Sequence, residues 1–475
     1  MISLLRTALI ISQWTILVYF VLNTLFQLVK FSLGLIGVRK SAFRGRAGAY
    51  AEEIILRQPG VTIIIPAYNE ESVIVGSTKQ ALSLDYPNLE VIVVEDGSSD
   101  DTFGELKQAF ELETSDDEPK TDASNAVTTY GNVTGTYNSP TYPGLKVVCK
   151  ENDIGRKADA LNVGLTYASN AFVATTDADT FLDSKGIHLL MRDITDLNRP
   201  VMVAGGAVKP INGCIRKENG GLEVHPPKST IGKAQSVEYL RSFYYGRRGL
   251  AAMNALPLLS GAFSFFWRRA LIAVEGFPVD TLTEDLKVFL KLFSWLRDKG
   301  GGNPPMYATE PLAWTEVPEK WKGLWNQRVR WHQGLLEGLW GFKDHFGKLS
   351  YGAFGLIALP NLLFFEALGP LVELFGLGIF ALSYFLDALS LPVFLLWLAI
   401  AFLLHIFMSI GAIIMSDISF RRYENISDLV KLLAASVFEQ FGYRQFTVTA
   451  RVWATYRFLT GRSGGWVSPE RKSKE

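Results

Sequence analysis

The residues most able to do chemistry lie in Thr175-Thr176-Asp177-Ala178-Asp179-Thr180. They follow Ala171 to Ala174, an apolar run that reads as a buried strand. Carboxylates at i and i+2 of an extended chain point the same way. At the carboxyl end of a strand they sit where open α/β sheets bind ligands. Two hard oxygen donors at that edge suit Mg²⁺ or Mn²⁺ carried with a diphosphate. The competing reading is an ordinary Asp-rich turn, which a strand end also favours.

The flanking elements decide between the two. From residue 61 the chain alternates strand and helix signals. Val61 to Ile65 reads as a buried strand ended by Pro66, and Ala67-Tyr68-Asn69-Glu70-Glu71-Ser72 as a turn opening a helix to about Leu84. Glu90 to Val94 reads as a second strand, followed by Glu95-Asp96-Gly97-Ser98-Ser99-Asp100, with Ser99 or Asp100 capping a helix through Phe110. A strand over Leu145 to Cys149 and a helix over Lys157 to Ala168 lead into the Asp177 strand, and strand-like runs recur at Val201 to Ala204 and Tyr307 to Trp314. This βαβ succession predicts a doubly wound, mostly parallel sheet of α/β class. Residues 113–143 interrupt it with Thr, Ser, Asn, Asp and Gly and almost no aliphatic residues, the composition of a mobile surface loop.

Of the 475 residues, 48% are hydrophobic and only 20% charged, and the apolar excess gathers at the two ends. Lys+Arg and Asp+Glu both total 47, so no basic surplus points to nucleic acid. Two cysteines, Cys149 and Cys214, provide no disulfide framework and fit a reducing compartment. Thr7 through Val29 carries no charge and is long enough to cross a bilayer. Lys30, Arg39, Lys40, Arg44 and Arg46 follow it while only Arg6 precedes it, which places the next domain in the cytosol. Residues 352–386 and 391–416 are the other membrane candidates. The first is interrupted by Pro360, Glu366, Pro370 and Glu373, so it reads as an interfacial helix followed by a crossing from about 367. Residues 427–460 read as an amphipathic interfacial pair, with a fourth crossing near 429–443 as the alternative.

With these pieces in place, the sequence resembles the membrane-bound processive glycosyltransferases of family 2, which include cellulose, hyaluronan and poly-N-acetylglucosamine synthases. The resemblance covers nearly the whole chain. It rests on an ordered set: Pro66-Ala67-Tyr68-Asn69-Glu70, Asp96-Gly97-Ser98, Gly155-Arg156-Lys157-Ala158-Asp159-Ala160-Leu161-Asn162, Asp177-Ala178-Asp179, Ser260-Gly261-Ala262-Phe263, Thr283-Glu284-Asp285 and Gln327-Arg328-Val329-Arg330-Trp331. Two positions depart from the pattern: Glu95 stands where the family usually has Asp, and Arg156 where it usually has a second Gly.

The resemblance implies a glycosyltransferase-A type Rossmann-like domain with transmembrane and interfacial helices. The expected segments are 1–40 for the first crossing, 50–318 for the cytosolic catalytic domain, 319–348 for interfacial helices, 350–420 for further crossings and 421–475 for amphipathic helices and a basic tail. It implies an inverting, metal-dependent β-transfer from a UDP-sugar, UDP-GlcNAc or UDP-glucose, to a growing polysaccharide, from an integral protein of the plasma (inner) membrane. Single-sugar transfer to a polyprenyl-phosphate or glycolipid is the alternative enzyme. A non-catalytic subunit of an export complex is the alternative of another class. Expected partners are the UDP-sugar, a glycan or lipid-linked acceptor, the bilayer, and an export partner or second copy.

The implied roles suit the residue types. Ala67, Tyr68, Glu70, Asp96, Lys157, Asp177 and Gln327 are expected to bind the nucleotide sugar. Tyr68 can stack on uracil, and Glu70 and Asp96 can accept its N–H or the ribose hydroxyls. Lys157 places a cation at a helix start, where the dipole already favours phosphate. Asp179, with Asp177, is the expected metal ligand. Asp285 is the expected general base, and Glu284, Phe263 and Trp331 the acceptor site. Arg330 is expected to neutralise the leaving diphosphate. Simpler roles compete: Asp96-Gly97-Ser98 as a turn, Lys157 as a solvated lysine, Glu284-Asp285 as a helix cap, and the Trp/Arg run as a membrane-interface belt.

Overall fold

The computed structural model describes residues 2–46, 59–152, 156–196, 201–217, 221–299, 305–419, 423 and 425–462. Its elements in order are α1 (Ile2–Arg46), β1 (Val61–Ala67), α2 (Ile74–Leu82), β2 (Leu89–Asp96), α3 (Thr102–Ala109), β3 (Glu113–Ser115), α4 (Thr121–Ser124), β4 (Val133–Asn138), β5 (Leu145–Lys150) and α5 (Lys157–Tyr167). There follow β6 (Phe172–Thr176), β7 (Phe181–Leu182), α6 (Gly186–Asp196), β8 (Val203–Pro210), a short hairpin β9 (Ile215–Arg216) and β10 (Leu222–Glu223), α7 (Thr230–Leu240), α8 (Arg248–Ala252), β11 (Phe263–Trp267), α9 (Arg268–Ala273), α10 (Glu284–Asp298) and β12 (Met306–Thr315). The last third is helical: α11 (Trp321–Gly341), α12 (Leu359–Asn361), α13 (Gly369–Phe385), α14 (Leu391–Leu398), α15 (His405–Ser419), α16 (Ile426–Phe438) and α17 (Arg444–Leu459). The chain divides into two compact units. One comprises Met1–Arg39, Pro226–Ala255 and Pro318–Pro469; the other is built on Lys40–His225 and Leu256–Val317.

The second unit is organised by one sheet in the order β3-β4-β5-β2-β1-β6-β11-β8-β12-β7. Its core, β5-β2-β1-β6, is parallel, with Ile63 opposite both Val91 and Ala174. Val61, Ile63, Ile64 and Val91 to Val94 are wholly buried, as strands covered on both faces must be, and their unbroken β-branched runs follow from that. Outside this core β11 runs antiparallel to β6 and β8, β7 to β12, and β4 to both β3 and β5. The sheet is therefore mixed rather than mostly parallel. The reason is in the connections. β4 and β5 are joined by residues 139–144 alone, too few for the long crossover that a parallel neighbour requires.

The insertion departs furthest from expectation. Residues 113–143, which composition marks as a mobile loop, build β3, α4 and β4 and extend the sheet beyond β5. Few aliphatics are needed, because an edge hairpin gains its ladder bonds from β5 and buries little: Tyr137 meets Phe103 at 4.9 Å between ring centroids, and Ser139 donates to the Phe110 carbonyl. The start of α3 also differs from expectation. Its cap position is Asp101, with no side-chain capping bond, while Asp100 Oδ1 accepts from the backbone N–H of Thr102 in a local Asx turn.

The first unit holds three helices long and apolar enough to cross a membrane, Leu4–Gly37, Phe354–Phe385 and Leu391–Ile418. The chain is a membrane protein. Among the described residues none of the three falls at 429–443; α16 has only 13 residues. Glu366 and Glu373, which interrupt the second span in sequence, accept from arginines of α17. Arg444 makes a bidentate pair with Glu373 at 2.8 and 2.9 Å, and Arg451 reaches Glu366. Carboxylates in an apolar span are tolerated when paired in this way. The unit also contains Pro226–Ala255, which the motifs place in the cytosolic domain. α7 packs there on α15 and α16, and Arg241, just beyond it, forms a buried pair with Glu439.

Candidate active site

The site is assembled at the carboxyl ends of the parallel strands. After β1 the chain turns at Asn69, whose φ of 58° is one that Asn tolerates better than most residues. That turn is stitched to the one after β2. Asn69 N–H donates to Ser98 Oγ at 3.0 Å, Ser99 N–H to Asn69 Oδ1 at 2.8 Å, and Glu70 N–H to Thr102 Oγ1 at 2.8 Å. Ala67 and Glu70 are buried and Tyr68 is half-buried, so the tyrosine is the part of this motif with a face to offer. Glu95 keeps the carboxylate role of the usual Asp, accepting from Ser98 N–H.

Asp96 lies deeper than its expected role suggests. It is 2% exposed, and its Oδ1 pairs with Lys150 Nζ at 2.5 Å. Burial outweighs that ammonium and pushes the Asp96 carboxyl up to about 6.

The acidic pair and the candidate base come together around Lys157, the first residue of α5. Its Nζ is 2.5 Å from Asp177 Oδ1 at the end of β6 and 3.0 Å from Glu284 Oε1 at the start of α10. Burial would lower the Lys157 pKa, but Asp177, Glu284 and Asp285 outweigh it and hold it above the usual lysine value. Asp285 lies beside Gly261. A Cβ at that glycine would come within 2.9 Å of Asp285 Oδ2, so the absent side chain leaves room for the carboxylate. Thr283, not Glu284 or Asp285, is the cap residue of α10, and Asp285 Oδ1 accepts from Leu286 N–H. That bond occupies one Asp285 oxygen, and neither acidic residue caps the helix.

Asp179 is half-buried two residues beyond Asp177, with Thr315 Oγ1 3.4 Å away. Burial and then the neighbouring Asp177 push its carboxyl up to about 7. A carboxylate raised by burial and by an adjacent acid suits a divalent cation. Among the described residues no cluster of three His, Cys, Asp or Glu forms a complete metal cage. A hard ion held by Asp179 and Asp177 would take its remaining oxygens from a diphosphate and water.

Four expected residues remain: Phe263 on the sheet, and three that belong to the first unit. Phe263, expected at the acceptor site, is 1% exposed on β11, opposite Thr176. It is buried together with Ser264, Phe265 and Phe266, on a strand covered on both faces. Gln327, Arg330 and Trp331 belong to the first unit, on α11, at i, i+3 and i+4 of one helix face. All three are half-buried, and the Gln327 Oε1 is a buried acceptor with no partner among the described residues. The residue of that motif held most rigidly is Arg328. It donates to both Glu238 oxygens at 2.8 and 2.9 Å and lies 4.7 Å from the Trp331 ring centroid. Sequence reasoning passed over Arg328, and also over Lys150. Nothing local marks either, since their partners lie 90 and 54 residues away.

Arg156 carries a backbone signal as well. Its φ of 43° with ψ of −117° is a conformation suited to glycine, at the position where glycine was expected.

A mixed Rossmann-like sheet with an acidic pair and a lysine at its carboxyl edge is the layout of a nucleotide-sugar transferase of GT-A type. Residues 62–274 match the model described as Glycosyl transferase family 2, and residues 241–414 match Glycosyl transferase family group 2. The chain belongs to the family 2 glycosyltransferases. Poly-beta-1,6-N-acetyl-D-glucosamine synthase of Staphylococcus epidermidis is 29% identical over 285 residues, which cover 59% of this chain and 57% of that protein. The synthase of the same description from Staphylococcus aureus (strain COL) is 28% identical over 300 residues, covering 63% and 60%. The chain thus spans less than two thirds of the length of these curated relatives. Among solved structures, the mannosyltransferase PcManGT from Pyrobaculum calidifontis, in complex with GDP-Man and Mn²⁺, superposes with a TM-score of 0.52 at 18% identity, covering 91% of this chain and all of that one. At that identity the likeness is one of fold.

Proposed function

We propose that this protein is an inverting β-glycosyltransferase that moves a sugar from a UDP-sugar, UDP-GlcNAc before UDP-glucose, to a growing polysaccharide at the membrane. The observation that carries the reading is the convergence on Lys157 of Asp177, Glu284 and Asp285, with Asp179 two residues away. A cation for the diphosphate, carboxylates for a metal and a candidate base then lie together at one sheet edge. The names of the relatives support the sugar and the polymer. Tyr68 stacks on the base and Asp96 accepts from the nucleoside, while Lys157 moves from Asp177 toward the diphosphate. A bound Mg²⁺ or Mn²⁺, on Asp179 and Asp177, supplies charge for the leaving group.

Asp285 takes the proton of the acceptor hydroxyl as that oxygen bonds to the anomeric carbon and the bond to the UDP oxygen breaks. Attack opposite the leaving group inverts an α-linked donor to a β-link. Glu284 orients the acceptor. Gln327, Arg330 and Trp331 act on the diphosphate and the acceptor sugar from α11. The catalytic unit faces the cytosol, as the Lys/Arg bias after Val29 requires.

Purified full-length protein incubated with radiolabelled UDP-GlcNAc or UDP-glucose tests the reading. Long β-linked polymer from UDP-GlcNAc is the expected product. A lipid carrying one sugar would replace it with single transfer, and no product from either donor would remove the enzyme.

A further inference from the structure

Lys150, the last residue of β5, is 1% exposed. Its Nζ lies 2.5 Å from Asp96 Oδ1 and 3.0 Å from Asp159 Oδ2. Asp159, wholly buried on α5, also accepts from the backbone N–H groups of Tyr130 and Gly131, at 2.9 and 3.0 Å. One carboxylate thus ties the insertion to α5, and one ammonium ties that carboxylate to the end of β2. A methionine would fill much the same space without desolvating a charge, so packing alone does not account for the lysine.

We propose that Lys150 is a positioning residue for the nucleotide, holding Asp96 ionised and aimed at the donor, and is itself fixed by Asp159 and the insertion backbone. The inference rests on the reading that Asp96 accepts from the nucleoside. It gives residues 129–132 a role as the outer support of the donor pocket. The charged groups facing Asp96 are Lys150 from β5, Asp159 from α5 and Glu95 from its own strand, the first opposing and the other two reinforcing the upward push of burial.

The sign of each charge makes the test specific. UDP affinity requires the carboxylate, so it falls as pH drops through the Asp96 pKa. Lys150→Met removes the opposing charge and moves that fall to higher pH. Asp159→Asn removes a like charge, leaves the ammonium to Asp96, and moves it to lower pH. UDP dissociation constants are measured on the full-length protein with Mn²⁺ from about pH 5.5 to about pH 9 for wild type, both variants and Asp96→Asn. The titration of UDP itself cancels in each variant-to-wild-type ratio. The Lys150→Met ratio should lie within a few-fold of unity at the alkaline end. It should reach about tenfold or more at the acid end, since a close opposite charge is worth about 1–3 pKa units. Displacement of both variants in the same direction, or an equal loss at every pH, shows mere loosening and overturns the proposal. Should Lys150→Met fail to fold, the Asp159→Asn profile decides alone: an acid shift upholds the role, and no shift or an alkaline one overturns it. Unchanged affinity in Asp96→Asn instead removes the Asp96 reading. Loss there, with wild-type profiles in the other two, removes only the role of Lys150.

Discussion

Lys157 and Arg328 are both cations gripped by carboxylates, one in each unit of the molecule, and they are gripped differently. Lys157 and its partner Asp177 each keep 33% of the side chain exposed, and the lysine is shared between Asp177 and Glu284. Arg328 is 7% exposed, its fork satisfied by both oxygens of Glu238, with Tyr443 Oη 3.2 Å away and Trp331 beneath it. An exposed, shared ammonium can exchange a carboxylate for a diphosphate at little cost. A buried bidentate guanidinium cannot, because leaving would break two charge-assisted hydrogen bonds at once. We read the first arrangement as a site, and the second as a fastening that fixes α11 to α7.

The contrast breaks most readily on the side of chemistry. Asp179→Asn should lower turnover to background while the thermal midpoint holds, and EDTA should do the same to wild type, with Mg²⁺ or Mn²⁺ restoring activity. Full activity in chelator would make Asp177-Ala178-Asp179 a turn and nothing more. Asp285→Asn keeps the shape and removes the basicity. The expected result is a rate lower by about 10²-fold or more with UDP affinity within a few-fold. A rate at about a tenth of wild type or above would show that Asp285 serves only the start of α10.

Two substitutions sharpen the comparison itself. Glu238→Gln leaves Arg328 buried without its counter-charge and should cost about 3 kcal/mol of stability. That is read as a fall in thermal midpoint with UDP affinity unchanged. Lys157→Met should do the reverse, weakening UDP about tenfold with little change in midpoint. Matching effects from the two would erase the distinction between site and fastening. The smallest effect is expected at Arg156→Gly. Relief of a positive φ on a side-chain-bearing residue should add about 1 kcal/mol or less, seen as a slight rise in midpoint.

The same contrast separates what was legible in the sequence. The strands β1, β2, β5 and β6 were readable because a strand buried on both faces needs an unbroken apolar run, and the motifs at their ends were readable because turns and helix starts are local. The three apolar helices follow from length and hydropathy alone. The ordered set from Pro66 to Trp331 sufficed for the family, with Asp177, Asp179 and Asp285 as its chemistry.

Tertiary structure alone decided the rest. Residues 113–143 look like a loop because an edge hairpin borrows its hydrogen bonds from β5 and its anchorage from Asp159, neither of which composition records. Phe263 looks like an acceptor contact until folding buries it on β11, opposite Thr176. Lys150 and Arg328 look like ordinary surface cations until folding removes them from water and sets carboxylates from distant segments against them. Burial and long-range charge pairing are properties of the assembled chain, and no local pattern encodes them.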